Sequence, residues 1–121
     1  MTMAAVAASV VAGKTVIPHL VDGQLPTSKG EPLTAPEARQ LRGMMQAVVT
    51  EGSGRVLGNL PGPAVRAKTG TAEYGTSEPL KTHAWMVAAQ GDLAVAVFVN
   101  DGKSGSATAG PLLRTFLAKA R

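Results

Sequence analysis

Between Ala64 and Val99 the chain runs through three strand-like segments, the last two almost touching. Ala64–Glu73 carries small and polar residues, His83–Ala89 reads HAWMVAA and Leu93–Val99 reads LAVAVFV. Only Gln90-Gly91-Asp92 separates the second from the third, and a short glycine-containing link of this kind reads as an antiparallel hairpin. LAVAVFV is apolar at every position, so both faces need cover, which predicts a central strand.

Helices are predicted around this sheet. Met1–Ala12 is apolar apart from Thr2 and Ser9, and Gly13 follows, a residue suited to the left-handed position after a helix end. An all-round apolar helix is expected to be buried all round. It is too short to cross a bilayer and lacks the basic lead-in of a signal peptide. Thr15–Val21 reads as a short extended piece that Pro18 confines to an edge or to irregular structure, and Asp22–Leu33 as a surface loop. Thr34-Ala35-Pro36-Glu37 is a helix start with the makings of a capping box. Ala38, Leu41, Met45, Val48 and Val49 then recur at helical spacing, predicting a helix over about 35–51. Asn59–Pro63 is a turn cluster. A last helix over about 107–119 has Pro111 near its start and Leu112, Leu113, Phe116 and Leu117 on one apolar face. The fold class is α+β, a three-stranded antiparallel sheet with packing helices.

Composition removes several function classes. No Cys is present, so disulfides, thiolate metal sites and a Cys nucleophile are out. The net charge is +4, but the basic residues are dispersed and not interleaved with aromatics, which argues against nucleic acid. Gly13-Lys14-Thr15 resembles the end of a phosphate-binding loop, yet Ala8 stands where that loop needs Gly and the strand–helix order is reversed. His19 and His83 have no partners at metal spacing, so no metal and no cofactor are expected. His19 reads as a loop residue, His83 as packing at its strand start, Trp85 as core and Glu73 as a structural contact.

The chemistry-bearing segment is Arg66-Ala67-Lys68-Thr69-Gly70-Thr71-Ala72-Glu73. Lys-Thr-Gly is one of three short motifs shared by penicillin-binding proteins and class A β-lactamases. KTGTAE followed by HAW, an AVAVFV strand, a Gly-rich turn and a helix beginning near a Pro resembles the closing section of a class B penicillin-binding protein. MTMAAVAASVVAGKTVIPHLV resembles the segment just before it. LRGMMQAVVTEGSGRVL resembles the family's LxxxMxxVVxxGTG stretch, with Ser53 in place of the usual Thr. The wording is most similar to actinobacterial members, and a serine β-lactamase ranks lower because Thr-Ala-Glu follows the motif.

The resemblance implies a portion of the serine β-lactamase/penicillin-binding transpeptidase fold, incomplete here. It implies that Lys68 adds positive potential and shuttles a proton beside a serine, because a Ser hydroxyl attacks only once its proton is taken and charge is stabilised. It implies that Thr69 and Thr71 offer hydroxyls to a substrate or penicillin carboxylate. Gly70 lets a substrate backbone lie close, and the Thr71 N–H supplies half of an oxyanion hole. These groups are expected to face one shared groove, with peptidoglycan stem peptide or a β-lactam as the ligand. The nucleophile is not visible. Three residues after Ser9, Ser28, Ser53, Ser77, Ser104 and Ser106 stand Ala12, Glu31, Val56, Leu80, Ala107 and Ala109, none a Lys, and no Ser-x-Asn occurs.

In the family both motifs lie upstream, so the chain is expected to hold one wall of an active site and to be inactive alone. Its parent would work at the extracytoplasmic face of the bacterial membrane, its anchor outside this chain. In the family, Leu93–Val99 pairs on its far side with an earlier strand, so an exposed apolar sheet edge is expected. Such an edge invites the missing N-terminal part of the domain or a second copy. Two other classes remain open: a non-catalytic β-lactam- or peptidoglycan-binding module, and an interaction fragment without ligand.

Overall fold

The computed structural model describes residues 1–23 and 31–120, so the middle of the expected Asp22–Leu33 loop lies outside the described residues. Three strands, β1 (Arg66–Tyr74), β2 (Lys81–Gln90) and β3 (Leu93–Val99), form one antiparallel sheet in the order β1-β2-β3. Three helices pack on it: α1 (Thr2–Ala12), α2 (Ala35–Thr50) and α3 (Gly110–Lys119). The architecture is α+β. Arg55–Leu57 forms a 3₁₀ turn that the sequence did not announce, and the expected 107–119 helix divides into a π-helical turn, Gly105–Ala109, and α3. Thr15–His19 is irregular, and His19 is exposed there.

The local signals act as their chemistry demands. Thr34 accepts from the Glu37 amide while the Glu37 carboxylate accepts from the Thr34 N–H at 2.8 Å, closing a capping box on α2. The Thr34 hydroxyl also donates to that carboxylate at 2.7 Å, and this bond together with the one from the Thr34 N–H holds the Glu37 carboxyl below its ordinary pKa. Gly13 ends α1 with φ 67°, the left-handed position that favours glycine. Gln90 pairs with Leu93 across the two-residue turn Gly91-Asp92, and Gly91 alone takes positive φ (62°), as a II′ hairpin needs.

The core lies on one face of the sheet. Ala67, Ala84, Met86 and Ala88 pack there with Leu57, Val49, Ala109, Leu113 and Leu117. Gln90, 1% exposed, turns its amide into the turn cluster and donates to the carbonyls of Pro61 (2.8 Å) and Pro63 (3.1 Å). That pins the chain just before β1.

Three expectations are corrected. The central place read from LAVAVFV alone is not what the described residues show: β2 is the central and most buried strand, and β3 has the open edge expected for a chain without the earlier partner strand. The run LAVAVFV is apolar because α1 contacts it on one side and α3 on the other, with no second strand neighbour among the described residues. α1 is buried along one stripe only, at Ala7 and Val10, while Met1, Met3 and Val6 are exposed. It rests on the sheet with its outer side bare. On α3, Leu113 and Leu117 are buried, whereas Leu112 and Phe116 are about half exposed.

The segment after β3 returns across the sheet. Tyr74 donates to Asp101 at 2.5 Å, Asn100 donates to the Tyr74 hydroxyl (3.3 Å) and to Asp101 (3.1 Å), and Gly102 donates to the Thr82 carbonyl (2.9 Å). Thr82 also donates its hydroxyl to the Gly102 carbonyl. Lys81 lies 3.6 Å from Asp101 at the surface. The clamp delivers Gly105 onto the backbone of β1 and β2. A Cβ there would collide with the Trp85 carbonyl oxygen and stand 2.8 and 2.9 Å from the Gly70 oxygen and nitrogen.

Two outcomes follow from this clamp and crossing. Gly105→Ala forces backbone apart and should cost at least about 2 kcal/mol in a urea melt. Tyr74 is the single tyrosine, so its phenolate absorbance can be titrated alone. Its bond to Asp101 pushes the phenol above its ordinary value of about 10. The same bond, with help from Asn100 and Lys81, holds the Asp101 carboxyl down. A raised Tyr contributes stability below its unfolded pKa and loses it as pH rises through the folded one. A lowered Asp contributes above its unfolded pKa and loses it as pH falls. Asp101→Ala should therefore move the Tyr74 titration back towards the ordinary value and flatten the acid limb of a stability–pH curve.

Candidate active-site strand

β1 is an edge strand whose start is fixed in the core. Val65 and Ala67 are buried, and past Ala67 the strand emerges, with Lys68, Thr71, Ala72 and Glu73 exposed. Side chains alternate between faces along a strand, and residues paired across the ladder share a face. Lys68 pairs with Val87 and Gly70 with Trp85, so these four stand together. With Met3 of α1 and the wall of Thr69 they line a cleft of about 280 Å³. The Lys68 ammonium donates to the Thr69 carbonyl at 2.5 Å, which uses one of its three protons.

Thr69 and Thr71 turn the other way. Thr69 pairs with Met86 and Thr71 with Ala84, both core residues of the opposite face. The Thr69 hydroxyl meets the Ser53 hydroxyl at 2.7 Å. The Thr71 hydroxyl accepts from the Gly105 N–H at 3.3 Å. The structure thus brings Lys68 and Gly70 together and sends the two hydroxyls to the other side of the strand. The single groove expected for all of them is two surfaces of one strand. The strict two-residue period of KTGT carried that information already.

The absence of a side chain at Gly70 has a clear use. A Cβ would press on the Trp85 Cβ at 3.3 Å on the cleft side, and Gly105 occupies the space over its backbone on the other. Trp85, expected in the core, is only partly buried and walls the cleft, its ring 4.4 Å from that of Phe98. His83 stacks on Tyr74 with centroids 3.9 Å apart and bonds through Nδ1 to the Asn100 carbonyl at 2.7 Å. An aromatic row, Tyr74–His83–Phe98–Trp85, therefore runs across this face of the sheet, and its Trp85 end lines the cleft with Lys68. Glu73 is exposed.

Sequence reasoning passed over Met3, Trp85, Ser53 and Gly105 as neighbours of the motif. A larger cleft, about 600 Å³, lies between the end of α2 and the turn before β1, lined in part by Gln46, Arg55 and Asn59, and contains none of the motif residues. Among the described residues no group of three or more His, Asp or Glu is placed to hold a metal ion. No helix of the described residues is long and apolar enough to cross a membrane.

Comparison with known proteins rests on this geometry. Residues 1–118 match the transpeptidase family described as the penicillin-binding protein transpeptidase domain. No curated protein matches. Among solved structures, the D,D-transpeptidase domain of a peptidoglycan glycosyltransferase from Eggerthella lenta is similar, with a TM-score of 0.54 and 27% identity. The similarity covers 75% of this chain and 24% of that one, so the chain spans about a quarter of the length of that relative. A three-stranded antiparallel sheet with three helices, an edge strand reading Lys-Thr-Gly-Thr and a family match over 118 of 121 residues lead to one assignment: the chain belongs to the penicillin-binding protein transpeptidase domain family.

Proposed function

We propose that this chain contributes the Lys-Thr-Gly strand to a serine-type D,D-transpeptidase that cross-links peptidoglycan and is acylated by penicillins. The observation that carries the reading is the position of Lys68: exposed on an edge strand, beside a side-chain-free Gly70, at the rim of a cleft. An extended stem peptide can lie along such an edge by strand-like hydrogen bonds.

The serine would come from polypeptide outside these residues. Its oxygen forms an ester with the carbonyl of the penultimate D-Ala, the C–N bond to the terminal D-Ala breaks, and the serine proton leaves with that amine. An acceptor amine then attacks the ester, forms the cross-link and returns the proton to the serine oxygen. Lys68 lowers the cost of negative charge near the serine and moves the proton. The Thr71 N–H steadies the oxyanion, and the hydroxyls of Thr69 and Thr71 hold the donor's carboxylate. The work belongs to the extracytoplasmic face of the cell membrane, with the anchor outside this chain. The remaining part of the domain is the natural partner of the open β3 edge. A non-catalytic module that binds stem peptide or β-lactam reversibly is the second reading, favoured by the lack of any Ser-x-x-Lys within the 121 residues.

A fluorescent penicillin separates the two. The 121-residue chain should take up no label that survives denaturation. Fused behind a segment bearing Ser-x-x-Lys and Ser-x-Asn it should be labelled, and Lys68→Ala should slow labelling by roughly 100-fold or more. Labelling of the chain alone would sink the claim that its nucleophile lies elsewhere. Labelling unaffected by Lys68→Ala would sink the role of the strand. On size-exclusion chromatography the chain alone should self-associate through β3, and a stable monomer would count against that pairing.

A further inference from the structure

The two hydroxyls of β1 are not loose side chains. Each is held by a partner far along the chain: Ser53, just past the end of α2, for Thr69, and Gly105, at the head of the π-helical turn, for Thr71. We infer that Ser53 and the Gly105 N–H are positioning groups that set the proton directions at Thr69 and Thr71, so that the free proton of the Ser53–Thr69 pair and that of Thr71 together read a ligand carboxylate and not its amide. This rests on the transpeptidase reading above and goes beyond it in naming what orients the hydroxyls.

The argument is one of proton accounting. A hydroxyl has one proton to donate and two lone pairs to accept with. The Gly105 N–H fills a lone pair of Thr71, so the Thr71 proton is left to point at a ligand. In the Ser53–Thr69 pair one oxygen donates to the other, and the accepting hydroxyl keeps its own proton for outside use. The site therefore presents two donors. Two side chains on one face of a strand stand about 7 Å apart at the backbone. A carboxylate, accepting through both oxygens, can bridge two such donors. A carboxamide offers a single oxygen and no net charge, so it accepts from the two donors less strongly than a carboxylate does. Gly105 is irreplaceable in this role because any side chain there meets the β1–β2 backbone. Ser53 is exposed and sits in a Gly-Ser-Gly turn, so it can be changed without disturbing the core.

All four groups belong to this chain, so the test needs no other polypeptide. Amide NMR signals of the 121-residue protein would be followed while N-acetyl-D-alanyl-D-alanine, and separately its C-terminal amide, are titrated in. The acid should shift Thr69, Thr71 and Gly105, and the amide should not. Ser53→Ala should weaken the acid roughly tenfold while leaving the β1–β2 amide pattern intact, and Ser53→Thr should restore it. If Ser53→Ala binds the acid like the wild type, or the wild type binds the amide as tightly as the acid, the positioning role is overturned while the transpeptidase reading stands. If the wild type does not respond to the acid at all, this inference and the ligand assigned to the strand fall together. That case is told apart by the wild-type titration alone.

Discussion

Everything around the candidate site follows from the register of β1 on β2. Lys68 opposite Val87 and Gly70 opposite Trp85 put an ammonium and a bare backbone beside an aromatic wall. A slip of one residue would exchange the faces, driving Lys68 into the core and Ala67 into solvent. Such a slip is resisted at both ends. Ala67 is fully buried against the α3 side, and the tie from Tyr74 to Asp101 fixes the far end across the sheet. Between them Gly105 lies on the backbone of Gly70 and Trp85, too close for any Cβ at that position.

What the sequence made legible was local. The capping box at Thr34 and Glu37, the hairpin at Gly91 and the left-handed stop at Gly13 involve neighbours within four residues, and residue type decides them. What it hid was tertiary. Ser53 reaches Thr69 across 16 residues and Gly105 reaches Thr71 across 34, and nothing in either short segment names its partner. Composition alone hides the edge position of β3 for a similar reason. An apolar strand between two helices and an apolar strand between two strands have the same composition, because side-chain cover is what composition records. α1 shows the same limit: its apolar residues run all the way round, but only one stripe meets the sheet.

The motif itself teaches a different lesson. Its roles were assigned as if one groove received every group, yet period-two alternation separates Lys68 from Thr69 and Thr71 on any regular strand. Under the proposed function, a strand at the edge would resolve this by letting a ligand lie along the rim, where groups from both faces come within reach. The edge position of β1 is a topological fact that this reading requires.

The aromatic row has one more consequence. Trp85 and Tyr74 are the chain's only tryptophan and tyrosine, and both belong to the cleft side of the sheet, linked through His83 and Phe98. The protein's intrinsic emission therefore originates where a ligand or a covering domain would arrive. Light absorbed at Tyr74 has its only indole acceptor a few rings away, so the colour and yield of that emission form a built-in optical gauge of whether this surface is wet or covered.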